Sequence, residues 1–568
     1  MRTEVRFLLA IGLILLVLVG TNLLFPPVPP PGAVDPSDSL VSGAGGGESD
    51  LLPGGLLDSA AVGPELPAEA GGGAGGAAAA ELPPEGNVVV EGPLYRFTFS
   101  TRGAALVSAE LPLFRSMRSD GPVQLVPEGT RPLGHRLVVG QDTLDLRTAP
   151  FQVNPSEGVR LTTEGGRRTL RFSYSHPSGA LVFDVDYTFD PGSYVVDAVG
   201  TVRGLERALL VTDLGSGLAF TEADSAAEAS MMAYVGNHVE DGIRSEPLRD
   251  VESARIEEGP FRWAAFKSKF FVLALLAGEE TDQTDVLGGL IVAPEAERAR
   301  VAVTQGLTSD GSFDYRLFLG PQEYASLSSL GSDLEEVNPY GWRFFRPIIR
   351  PFVSIIMVVL TFLHNTLNWG YGWVLILFGV LMRVVLWPLN QKAMRAQMRN
   401  MAVQPMLKEI QTKYKNNPEK LQQEMMVLYK EYGFNPLAGC LPLLLPWPIL
   451  IALFFVFQNT VEFRGVPFLW LPDLSAPDPY YVLPIFLAAS MWGIQFISMR
   501  SMDQDNPQMK MMLWFMPIFL GFLFMQFAAG LNLYYATANI ATIPQQYWIA
   551  KERKKAQARG PVKLSQTK

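Results

Sequence analysis

Arg383 lies in the middle of an apolar stretch, Leu375 to Leu389, that reads LILFGVLMRVVLWPL. Every other Lys and Arg of the 568-residue chain falls outside the apolar runs. A charge inside a membrane-type segment is costly and marks a functional site unless its head group snorkels to the interface. The next charge, Lys392, is nine positions away, roughly 13 Å along a helix, and an arginine side chain covers about half of that. Snorkelling alone is insufficient. The chemistry open to such a group is attraction of an acidic or polar partner, which needs no bond making. No apolar run contains Asp or Glu, so an ion pair within the membrane is not on offer. Neutral polar groups are present. Asn532, Tyr535, Asn539 and Thr542 are spaced three, four and three apart and so share one helix face. Gln495 and Gln526 add amides in two neighbouring runs. Two readings stay open: interhelical hydrogen bonds in a tight bundle, or the wall of a wet cavity around Arg383. The unpaired guanidinium favours the cavity.

Other chemistries find no footing. Four scattered histidines and the single Cys440 make no zinc-ligand spacing and no disulfide framework. No GxGxxG, Walker A, HExxH or GxSxG occurs in a credible context. The sequence predicts no enzyme, no metal and no cofactor.

The elements that must position Arg383 fall into two unlike parts. Residues 1–340 carry 46 acids against 24 bases, residues 341–568 carry 10 against 22, and the net charge is -10. The parts face different surroundings. Phe7 to Phe25 is a continuous apolar run behind Arg2 and Arg6. It is long for a signal peptide and lacks a small-x-small cleavage site, which favours an uncleaved anchor (1–25) with the N-terminus inside. Residues 26–88 are dominated by Gly, Pro, Ala and Ser and read as a disordered tether. From 89 to 335, stretches such as TLRFSYS, LVFDVDYTF and YVVDAVGTV alternate as short antiparallel strands do, predicting a large β domain outside the membrane.

In the membrane half, the apolar run Phe352 to Leu363 is about 18 Å as helix, short of a bilayer's ~30 Å. With its basic and aromatic flanks, 336–370 is expected to be an interfacial helix. Spans follow at about 372–389, 436–460, 480–499, 511–527 and 531–549. Between the first two of these, 391–432 carries eight Lys and Arg against four Glu and repeats Met and Leu at helical spacing, a helical hairpin. The tail 551–568 has seven bases against one acid. Six spans with the N-terminus inside put hairpin and tail in the cytoplasm, as the positive-inside rule requires. A seventh, at Phe352 to Leu363, would put both outside.

Five long stretches carry a family resemblance: LGPQEYASLSSLG, WGYGWVLILFGVLMRVVLWPLNQ, QEMMVLYKEYGFNPLAGCLPLLLPWPI, FLWLPDLSAPDPYYVLPI and GLNLYYATANIATIPQQ. The chain resembles the YidC membrane insertases of Gram-negative bacteria over nearly its whole length. The resemblance implies a polytopic α-helical membrane protein with six transmembrane helices, five of them forming the insertase core. It also implies a β-supersandwich in the periplasm and a cytoplasmic helical hairpin. A hydrophilic groove open to cytoplasm and lipid would hold Arg383, with the tyrosines of the last span at Tyr534 and Tyr535. The implied activity is insertion and folding of nascent inner-membrane proteins, alone or with the Sec translocon (SecYEG, SecDF). The ribosome would be met by hairpin and tail, lipids by the spans, and no specific nucleic-acid sequence is read. One departure stands out. Pro446 replaces a glutamine common in the family, which leaves that wall of the groove less polar. The rival class is a small-solute transporter or channel with a periplasmic sensor domain; no internal repeat supports it.

Overall fold

The computed structural model describes residues 85–568, apart from 206, 279–285, 339–345, 416, 433–446, 500–506 and 560–568. The first span, most of the tether, Cys440, Pro446 and the first half of the 436–460 span lie outside the described residues.

Alternation builds the β domain. In Val182–Phe189 (VFDVDYTF) every second side chain is buried, and its neighbour Val195–Arg203 repeats the pattern. These strands pair antiparallel inside a nine-stranded sheet. Phe271–Ala277 (FVLALLA) is buried throughout, as a strand covered on both faces must be. A five-stranded and a six-stranded sheet complete the domain. Both cover the inner face of the large sheet: the Phe99 ring sits 5.3 Å from Tyr187, and His135 sits 5.3 Å from Phe183. The result is a sandwich with one continuous apolar core.

The chain leaves this domain from the middle of its largest sheet, through Ser312–Pro321. The exit is fastened. Gln322 Nε2 donates to the carbonyls of Ser268 (3.0 Å) and Phe271 (2.8 Å), and Gln322 Oε1 accepts from Asn338 Nδ2 at 2.9 Å. Lys267 Nζ, buried and pulled down to about 8 by desolvation, donates to Asn338 Oδ1 at 3.0 Å.

After the short helix Tyr324–Ser329, seven longer helices follow among the described residues: α1 (Arg346–Leu367), α2 (Tyr371–Lys413), α3 (Pro418–Tyr432), α4 (Trp447–Asn459), α5 (Val482–Met499), α6 (Pro507–Phe524) and α7 (Ala529–Arg559). The 12-residue apolar run expected at the interface is part of a longer helix, because Pro351 forfeits one N–H bond without ending α1. By length and composition, Pro347–Leu367 and Tyr371–Gln391 are each sufficient to cross a membrane, while Pro448–Asn459, Val482–Ile497 and Leu513–Phe524 are shorter apolar helices. Helix α7 packs against α2, α4 and α5, and α1 packs against α4 and α2. Two glycines permit this closeness: a Cβ on Gly530 of α7 would stand 2.9 Å from the Phe457 ring of α4, and one on Gly379 of α2 3.2 Å from Thr537 of α7. Phe515, Ile518 and Phe522 of α6 project outward at helical spacing, an apolar surface suited to lipid.

Candidate functional site

Arg383 is half-buried on α2, between the exposed Val380 and Val384. Its Nε donates to the backbone carbonyl of Ala538 on α7 at 3.1 Å. That carbonyl also accepts from Thr542 Oγ1 at 2.6 Å. Among the described residues Arg383 has no other hydrogen bond and no ion pair, so four of its five N–H donors are uncommitted. Tyr534 and Tyr535 lie within electrostatic reach. Tyr534 packs its ring on Phe378 of α2, at 5.7 Å between centroids. The Tyr535 ring meets Phe524 at 5.4 Å, and its buried hydroxyl has no partner among the described residues.

The polar face expected on α7 exists, but most of it turns away from Arg383. Asn532 is fully buried and donates to the Phe524 carbonyl at the end of α6, 3.0 Å away. Asn539 donates to Ser490 Oγ on α5 at 3.0 Å. These two amides are interhelical bonds of the tight-bundle kind. Gln495 is half-buried on α5 and bonds to no described side chain or backbone group. Gln526 is exposed and lies elsewhere, on a cavity between the helices and the β domain. Sequence reasoning missed Ser490, a lone hydroxyl in an apolar run, and Ala538, whose carbonyl leaves no side-chain signature.

The junction carries a second concentration of charge. Arg464, in the turn after α4, is buried against the β domain. Its Nε donates to Glu222 Oε1 at 2.7 Å and its Nη1 to the Arg115 carbonyl at 2.9 Å, with the guanidinium 5.3 Å from the Phe271 ring centroid. Val461 beside it belongs to the β-domain core. Glu462 has one buried carboxylate oxygen without a partner among the described residues, and desolvation pushes this carboxyl up to about 7, with Glu323 adding to the rise.

Two family models match the chain: the YidC periplasmic domain over residues 87–355, and the 60Kd inner membrane protein over residues 362–557. Membrane protein insertase YidC of Chlorobaculum parvum is 31% identical over 517 residues, covering 86% of each chain. Its counterpart in Syntrophus aciditrophicus is 30% identical over 515 residues, 87% of this chain and 92% of that one. The chain belongs to the YidC family of membrane protein insertases. The two models that make up a YidC meet inside α1, so this helix bridges the periplasmic domain and the membrane part. Both of its ends lie by the junction. Arg350 pairs with Asp333 at 2.8 Å, Tyr324 donates to Ser354 at 3.2 Å, and His364 stacks on Tyr371, whose ring meets Phe463.

Proposed function

We propose that this protein inserts and folds nascent inner-membrane proteins, alone or with the Sec translocon, through a groove open to cytoplasm and lipid. The observation that carries the reading is Arg383: a guanidinium on an apolar helix whose sole described bond is to a backbone carbonyl. A structural arginine saturates its donors; this one keeps most of them for a visitor. A client with a short acidic extracytoplasmic end enters from the cytoplasm, Arg383 attracts that end, and the apolar part leaves along α4 and α6 into lipid. The membrane potential adds about 2.3 kcal/mol per charge per 100 mV. The arrangement is six spans with both termini in the cytoplasm and the β domain in the periplasm. α2 and α3 form the cytoplasmic hairpin that, with the basic tail, meets the ribosome. α1 lies along the interface, and what supports this is that both its ends sit at the junction; a spanning helix would carry one end away.

Arg383→Ala, at normal abundance, is expected to slow insertion of a Sec-independent client with an acidic tail at least about ten-fold, matching the ~1.4 kcal/mol of one charge interaction in a partly wet site. Arg383→Lys keeps part of the rate, since a point charge suffices. Wild-type insertion by Arg383→Ala would sink the proposal.

A further inference from the structure

The cavity between β domain and helices measures about 1200 Å³, beyond the usual ~300–1000 Å³ of small-molecule pockets. Its helical side is Phe454, Phe457 and Gln458 at the end of α4, and Gln526 and Phe527 just past α6. These are the outer ends of the two helices along which the client is proposed to leave.

The acids around the cavity have partners, of which the loosest is the exposed Asp120 with Arg115 at 3.5 Å. Glu222 holds Arg464. Both oxygens of Glu228 accept from Thr221, through the hydroxyl and the backbone N–H. Asp473 accepts from the Ser475 amide and hydroxyl, and Asp224 caps Ser225–Met231. Lys269 has no bonded partner of this kind, although Glu222, Asp473 and Glu228 lie within electrostatic reach of it. Its Nζ lies 4.6 Å from the Phe270 ring centroid and forms no hydrogen bond or ion pair to a described residue. Nor do the side-chain amides of Gln458 and Gln526 bond to one. A free ammonium, two free amides and an aromatic floor offer a partner for a carboxylate, for backbone N–H and C=O groups, and for apolar side chains. That combination fits polypeptide. Of the other cations that line the cavity, Arg464 is held by Glu222, Arg115 pairs with Asp120 at 3.5 Å, and the Arg118 guanidinium lies 5.3 Å from the Phe220 ring centroid.

We propose that this cleft receives the extracytoplasmic segment of a client as it clears the bundle, with Lys269 pairing to its carboxylates. The proposal rests on the insertase reading. Arg383 and Lys269 are then successive cations on one route, the first within the bundle and the second at its outer end.

The test uses the full chain in membranes, Arg383 intact, with a photo-crosslinking residue at position 380 (one turn from Arg383), 458 or 526. The client is a stalled single-span protein with a short acidic N-terminal tail. The tail is expected to crosslink at 380 early and at 458 and 526 once the span has moved out. Lys269→Glu should lower the yield at 458 and 526 about five-fold for the acidic tail, the upper end of what an ion pair in contact with water supports. It should raise the yield for a lysine tail. Crosslinks at 380 without any at 458 and 526 overturn the cleft and leave the insertase reading standing. Loss at 380 as well sinks both. Adducts to lipid alone at 458 and 526, or equal changes for the two tails, also overturn the proposal.

Discussion

Arg464→Ala removes the cation that ties the turn after α4 to Glu222 of the β domain. Arg464 and Glu222 are 2% and 12% exposed at the side chain, so this is a buried pair. Taking away the guanidinium leaves the Glu222 carboxylate desolvated without its cation and the Arg115 carbonyl without its donor. Breaking a buried pair from one side costs about 3–5 kcal/mol. The β domain has its own core, so the loss should appear as opening of the junction rather than unfolding of the sandwich. The Met117 amide, which donates to the Thr221 carbonyl at the cleft wall, reports that opening. At a decade per ~1.4 kcal/mol its hydrogen exchange should accelerate by about two to three and a half orders of magnitude. Amides of Phe271–Ala277 should keep their rates. Arg464→Met combined with Glu222→Gln should recover more than half of the loss, because neither partner is then a buried lone charge. Exchange at Met117 within about two-fold of wild type, or equal acceleration through Phe271–Ala277, would refute the argument that this pair closes the junction.

Two pH effects of opposite sign follow from buried groups. Glu462 titrates near 7 in the folded chain and near 4.5 when unfolded, so the folded state binds the extra proton between these values. Stability should therefore fall as pH rises from about 4.5 to 7, by up to about 3 kcal/mol, and Glu462→Gln should remove that slope in denaturation midpoints taken at several pH values. His135, buried beside Tyr315, is held down to about 3 by desolvation, from an ordinary 6.5. The unfolded chain takes up that proton first, so acidification below about 6.5 should destabilise the β domain by up to about 5 kcal/mol. A His135→Gln variant whose melting temperature drops with acid as steeply as wild type would rule this out.

Much of the architecture was legible because it rests on local periodicity. VFDVDYTF announces its buried face by alternation, and Arg383 announces itself by polarity against its neighbours. The four polar residues of α7 share a spacing, yet sequence spacing gives a helix its phase and not its neighbour. Asn539 and Asn532 therefore turned out to serve α5 and α6 instead of Arg383. Gln526 lies past the end of α6 and on the cavity, since an amide near the end of an apolar run can belong to the run or to what lies beyond it. Arg464 gave no signal at all. An arginine in a loop looks ordinary, and its partner Glu222 stands 242 positions away. The apolar run Phe352 to Leu363 is only part of α1, because the helix also takes in the flanking residues and passes through Pro351.

The turn carrying Val461 and Arg464 also limits how this chain can be divided. Val461 completes the apolar core of the sandwich although it lies more than a hundred residues past the sandwich's last strand. A β domain expressed alone would present an unfilled notch there, with Glu222 facing it. A membrane part expressed alone would carry an unsheltered valine and an arginine stripped of its acceptors. Truncations of either kind would confound lost function with a damaged surface. A fair dissection needs the cut piece repaired, with Val461 made polar and Arg464 made neutral, before any conclusion is drawn about what the missing half was for.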